Sequence, residues 1–195
     1  MKTVFIDIDS QLDFLYPAGA LYVPHAERIV PVIARLNRFA AAQGMPVIST
    51  ADAHTEDDPE FQVWPHHCVA GTWGQRKPES TLLARRVVIP NRECELGEVK
   101  GAQQVVVEKQ TVDAFRSANL GRVLEALAGE RYVVYGVVTE ICVFYAVRGL
   151  LETGRPVIVV SDAVETLKAA DGQKAIGELV AGGAMLAPAA EICGG

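Results

Sequence analysis

Short apolar runs and longer amphipathic stretches alternate along most of the chain. Residues 3–8 (TVFIDI), 46–50 (PVIST), 103–107 (QQVVV), 132–138 (YVVYGVV) and 156–160 (PVIVV) are rich in Val and Ile without strict alternation. That is the pattern of strands in a parallel sheet covered on both faces. A weaker sixth run lies at 184–187 (AMLA). Between them, Ile29, Ile33, Leu36 and Ala40 recur at helical spacing over 29–43, with Pro31 in the first turn and Gly44 as the stop. Further helices are predicted over 117–128, with Ser117 as cap, over 140–153 and over 165–181. Strand alternating with helix predicts an α/β fold: an open parallel six-stranded sheet with helices on both faces, its ligand crevice beyond the carboxyl ends of the strands.

One stretch breaks the alternation. Residues 51–102 hold Pro59, Pro65, Pro78 and Pro90, three of the four histidines and both tryptophans. They read as a long loop, and a loop of that length in a compact domain is usually functional.

The 195 residues suit one domain, and composition narrows its partners. Half the residues are apolar and 22% charged, as in an ordinary globular protein. The formal net charge is −6 and the 18 basic residues are scattered, which argues against nucleic acid or an anionic membrane as partner and for a small molecule. Asp7 and Asp9 interrupt what would be the apolar part of a leader, and no later run reaches about 18 uninterrupted apolar residues. The expected location is cytoplasmic. Cys68, Cys94, Cys142 and Cys193 are far apart, and free thiols are expected.

Chemistry-bearing residues fall at the predicted strand ends. Asp9 ends the first strand, Asp52 follows the second, Lys109 the third and Cys142 the fourth. Cys142 in GVVTEICVFYA stands at a strand-to-helix turn. The bland reading is core filler; the sharper one is a nucleophile whose thiol pKa is lowered by the helix N-terminus or a nearby Lys. Asp9 has Asp7 and Asp13 as competitors, and Lys109 alone would read as a solvated surface charge. In the long loop Asp52 and His54 form D-x-H, with His67 and Glu60 as further ligand types, a set that suits zinc, iron or manganese. His66 reads as solvent-facing. Phe14 and Trp64 are core aromatics by base rate, but offer flat faces to a planar ring if the fold brings them to the crevice.

Four ordered segments resemble the cysteine hydrolases of the isochorismatase-like superfamily, and most closely the nicotinamidase/pyrazinamidase branch. They are DSQLDF from Asp9, DAH from Asp52 with WPHHCVAGT from Trp64, Lys109 with a downstream AF, and GVVTEICV around Cys142. The resemblance runs through almost the whole chain. It implies a three-layer Rossmann-like sandwich and a catalytic triad of Asp9, Lys109 and Cys142, with Cys142 attacking a carboxamide to form a thioester. It further implies oxyanion donors at the backbone N–H groups of Val138 and Cys142, with a cis peptide between Val137 and Val138. One divalent transition metal, zinc first, with iron or manganese as alternatives, would bind Asp52, His54 and His67, with Glu60 as a less certain fourth ligand. Phe14 and Trp64 would sandwich a nicotinamide-like ring. The implied role is pyridine-nucleotide salvage by a homo-oligomer.

The chain departs from the family pattern in three places. Glu60 stands where many members have a histidine, Asp113 where a Ser is common, and Glu140 where Asp is commoner. Two other readings compete: an amidohydrolase of the same superfamily acting on a ureido or carbamoyl substrate without metal, against which the D-x-H plus His67 set argues, and a non-catalytic α/β binding scaffold. Isochorismate hydrolysis is disfavoured because that branch does not use the thiol.

Overall fold

The computed structural model describes residues 1–194. Its seven strands are β1 (Thr3–Ile8), β2 (Val47–Asp52), β3 (Arg86–Ile89), β4 (Gln104–Lys109), β5 (Arg131–Gly136), β6 (Val157–Val164) and β7 (Met185–Ala187). They form one sheet in the order β3-β4-β2-β1-β5-β6-β7, every pairing parallel.

The expected six strands are therefore seven. The missed one, β3, lies inside the stretch read as loop, and its four residues RVVI sit on the sheet edge with only Ile89 fully buried. An edge strand that short, opening on Arg86, lacks the continuous apolar run that marks the central strands. By contrast all six residues of β1 are buried.

The helices are α1 (Leu12–Leu15), α2 (Val30–Ala42), α3 (Leu120–Leu127), α4 (Phe144–Leu151), α5 (Ala169–Ala181) and α6 (Ala189–Cys193). Side chains of β1 alternate between two cores. Val4, Ile6 and Ile8 join Leu120, Val123, Val143 and Leu150 of the α3 and α4 side. Phe5 joins Ile33, Leu36 and Ala189 of the α2 and α6 side. This period of two is what a doubly covered parallel sheet requires. The third helix starts later than its sequence suggests, at Leu120, although the Ser117 hydroxyl still accepts from the Leu120 N–H at 3.3 Å. Among the described residues no helix is long and apolar enough to cross a membrane.

The order of strands reverses at β1: β2 and β4 lie on one side of it and β5 and β6 on the other. Such a switch point opens a crevice at the carboxyl ends of the strands. Asp9, Asp52, Lys109 and Cys142 all follow or end strands flanking it. Two glycines let the backbone close up there. A Cβ on Gly136, at φ 121°, would lie 2.0 Å from the Ile8 carbonyl, and one on Gly74 would lie 2.0 Å from the Asp13 carboxylate.

Candidate active site and metal centre

The sheet register itself sets the first contact. Asp52 and Lys109 are direct partners in the β2–β4 ladder, and the Lys109 ammonium donates to Asp52 Oδ1 at 2.5 Å. It also lies 2.8 Å from Asp9 Oδ2 and 3.8 Å from Cys142 Sγ, and donates to the Thr111 carbonyl at 3.0 Å. All four side chains of this set are buried. One ammonium between two buried carboxylates leaves a net negative site, which raises Lys109 well above the usual lysine range despite burial, chiefly through Asp52 and then Asp9.

Asp9 follows β1 with φ 46°, a left-handed backbone. Its carboxylate accepts from the Thr50 hydroxyl at 2.6 Å, and its N–H donates to the same oxygen at 3.2 Å. Burial raises the Asp9 pKa, with Lys109 opposing and Asp52 adding to the rise. A carboxylate raised in this way is a stronger base than a free one.

Cys142 sits in a π-helical turn, Thr139–Val143, that leads into α4. Such turns recur at functional sites. The peptide between Val137 and Val138 is cis, as the resemblance implies. The Val138 N–H has no backbone acceptor among the described residues. Contrary to the lowered thiol pKa expected from sequence, burial pushes Cys142 well above its usual range, with Lys109 pulling in the opposite direction. That direction favours the protonated thiol, so any chemistry at this sulfur would call for a base beside it.

Next to this set, Asp52, His54 and His67 each turn a ligand atom toward a common point, all within 4.8 Å of one another. Asp52 Oδ2 is 3.8 Å from Nε2 of both His54 and His67. The other ring nitrogens are committed: His54 Nδ1 lies 3.0 Å from Asp58 Oδ2, and His67 Nδ1 donates to the Pro65 carbonyl at 2.7 Å. When neutral, each imidazole therefore faces the cluster with its Nε2 lone pair, and His54 Nε2 is buried without a hydrogen-bond partner. Burial opposes charge on His54, yet Asp52, Asp58 and Glu60 outweigh it and push its pKa up to about 9. Asp52 is held down to about 2 by Lys109 and His54 against its own burial. An orphaned imidazole nitrogen in a site that calls for positive charge fits a divalent cation with two nitrogen ligands and one oxygen.

Glu60 lines the same pocket but stands outside the three-group cluster. Phe14, Leu21, Trp64, Val112, Val138, Ile141 and Leu167 complete the lining with Cys142. The free space between them is about 20 Å³, room for about one water, and it opens to the surface. Phe14 is buried against His67, with ring centroids 5.4 Å apart, and Trp64 is half-buried at the mouth.

Several contributing residues escape a reading of the sequence. Asp58, four positions after His54, orients that imidazole, and Phe61 packs against His54 and His67 at 5.3 and 5.7 Å. Gln11 ties β1 to β2 twice over, accepting from the Asp52 N–H at 2.7 Å and donating to the Asp52 carbonyl at 2.8 Å. Its place two residues after Asp9 is a usable signal; nothing in the spacing of Asp58 separates it from Glu56 or Asp57. His66 is exposed, as expected, but stacks on Phe61 at 4.1 Å.

The chain is similar in sequence and fold to known proteins. The N-carbamoylsarcosine amidase of an Arthrobacter species is 28% identical over 160 residues, 80% of this chain; the chain spans only 57% of that protein's length. The nicotinamidase of Saccharomyces cerevisiae is 22% identical over 190 residues, covering 83% of this chain and 87% of the yeast protein. The pyrazinamidase of Pyrococcus horikoshii, solved in complex with zinc, superposes with a TM-score of 0.80 at 26% identity, over 96% of this chain and 99% of that one. The isochorismatase domain profile matches residues 3–191, nearly the full length, so the crevice with its thiol, ammonium and carboxylates is that of a member of the isochorismatase domain family.

Proposed function

We propose that the protein is a metal-containing amide hydrolase that converts nicotinamide, or a similar aromatic carboxamide, to the acid and ammonia through a thioester on Cys142. One observation carries this reading: a single buried ammonium, Lys109, lies 2.8 Å from Asp9, 2.5 Å from Asp52 and 3.8 Å from the Cys142 sulfur.

Asp9 takes the Cys142 proton as sulfur attacks the carboxamide carbon, and Lys109 stabilises the developing thiolate. The Val138 and Cys142 N–H groups receive the oxyanion, a contribution of about 3 kcal/mol for each donor. Asp9 then returns its proton to the amide nitrogen, the C–N bond breaks and ammonia leaves. Water, deprotonated by Asp9, cleaves the thioester to release the acid and restore the thiol. Asp52, His54 and His67 would hold the metal, whose bound chemistry is to fix and polarise a substrate nitrogen. Phe14 and Trp64 would flank the ring.

A second reading replaces the ring with a carbamoyl end group. The 28% identical N-carbamoylsarcosine amidase supports it, and the Asp52, His54 and His67 cluster argues against it, because a metal-free enzyme has no need of those ligands. A panel of nicotinamide, pyrazinamide and N-carbamoylsarcosine, assayed for ammonia with metal-free and metal-restored protein, separates the two. Ammonia from no amide overturns both, and no ammonia from nicotinamide with no metal retained overturns the first.

A further inference from the structure

Asp9 holds a left-handed backbone, which costs a non-glycine residue about 1–2 kcal/mol and persists only where its surroundings fix it. The residues beside it in sequence explain how it is fixed. Asp7 and Ser10 both accept from one ammonium, that of Lys77, at 3.2 Å to Asp7 Oδ2 and 3.0 Å to Ser10 Oγ. Asp7, Asp9 and Ser10 have no exposed surface and Lys77 is 7% exposed.

Lys77 arrives on a segment that runs beside residues 10–13. The Leu12 N–H donates to the Arg76 carbonyl at 2.8 Å, the Asp13 N–H to that of Gly74 at 3.1 Å, and Gln11 Nε2 to that of Gln75 at 2.8 Å. The same Asp7 oxygen, Oδ2, also accepts at 3.0 Å from the hydroxyl of Ser49, its register partner in β2, which in turn accepts from Gln104 Nε2 at 2.8 Å. None of the hydrogen bonds or ion pairs of Lys77 reaches Cys142, Lys109, Asp52, His54 or His67.

We propose that Lys77 is a positioning residue: its ammonium bridges Asp7 and Ser10 across Asp9 and so holds the Asp9 carboxylate where it can take the Cys142 proton. This rests on Asp9 being the base. A buried ion pair that served stability alone would be replaceable by neutral groups at little cost.

The test replaces the pair without stranding a charge, in the double variant Asp7→Asn/Lys77→Met. Expected are a cooperative melt, unchanged metal content, KM within about twofold and kcat lower by about 10- to 100-fold, the penalty of a misplaced reacting group. Alkylation of Cys142 by iodoacetamide should slow by a similar factor. A folded double variant with wild-type kcat and alkylation rate overturns the proposal. So does a loss of activity that follows metal loss or a raised KM, because Lys77 would then tie down the loop alone. If the double variant does not fold, Ser10→Ala removes one arm and leaves the ion pair whole. A several-fold slowing of alkylation supports the bridge, and an unchanged rate overturns it. Alkylation needs no amide substrate, so failure of the proposed reaction and failure of the bridge are read separately.

Discussion

Asp52 faces two ways: Oδ1 accepts from the Lys109 ammonium at 2.5 Å, and Oδ2 lies 3.8 Å from Nε2 of both His54 and His67. One carboxylate thus joins the ammonium beside the thiol to the imidazole cluster. Lys109→Met should separate the two halves. Amide hydrolysis is expected to fall at least about 100-fold, and stability by about 3–5 kcal/mol because two buried carboxylates lose their counter-charge. Metal content by elemental analysis should remain. Loss of the metal together with activity would show that Lys109 supports the cluster rather than the thiol.

Cys142→Ala should abolish turnover while leaving the fold and the metal in place. Wild-type protein quenched during turnover should carry an acyl adduct on Cys142 by mass spectrometry, and the variant none. Ammonia release by the alanine variant at the wild-type rate would remove the thioester from the mechanism.

The metal-free protein should show a specific pH dependence. His54 is pushed up to about 9 from the usual 6.5. Since the folded value lies above the unfolded one, protonated His54 contributes stability that is fully present below about pH 6.5 and is lost as pH rises through about 9. The Tm of chelator-stripped protein should therefore fall across that window. If His54 binds the metal as a neutral ligand, the loaded protein should not follow it. Parallel curves for the two forms would mean that His54 is not a ligand.

Asp58→Ala removes the carboxylate 3.0 Å from His54 Nδ1 without touching any ligand atom. Metal affinity should drop by about 10- to 100-fold, the usual effect of losing a partner that orients a ligating histidine. Competition against a chromogenic chelator measures it. An unchanged Kd would assign Asp58 to capping the turn at Glu60, whose N–H it also accepts at 2.9 Å.

How much of this was legible in the sequence depends on what fixes each part. The central strands are buried on both faces, so their composition alone marks them. Because Asp9, Asp52, Lys109 and Cys142 stand at those strand ends, their convergence followed from topology. Strand β3 did not, since an edge strand needs few apolar residues. Asp58 and Phe61 depend on how the loop folds back on His54, which no periodicity encodes. Lys77 looked like any other lysine until its contact with Asp7, 70 positions away, was known. For Cys142 the sequence offered both a buried core thiol and one beside Lys109, and the fold combines the two: burial raises its pKa while Lys109 pulls it down.

The ladder pairing of Asp52 with Lys109 also bears on how the molecule fails under heat. Those two groups belong to the sheet, and the sheet melts as one cooperative unit. Trp64 and His67 belong to the long excursion between β2 and β3, outside any strand. Warming should therefore loosen ligand capture first and leave the charged pair standing until the strands themselves separate. Thermal inactivation would then begin as weakened binding, reversible on cooling, and end as loss of chemistry only at global unfolding.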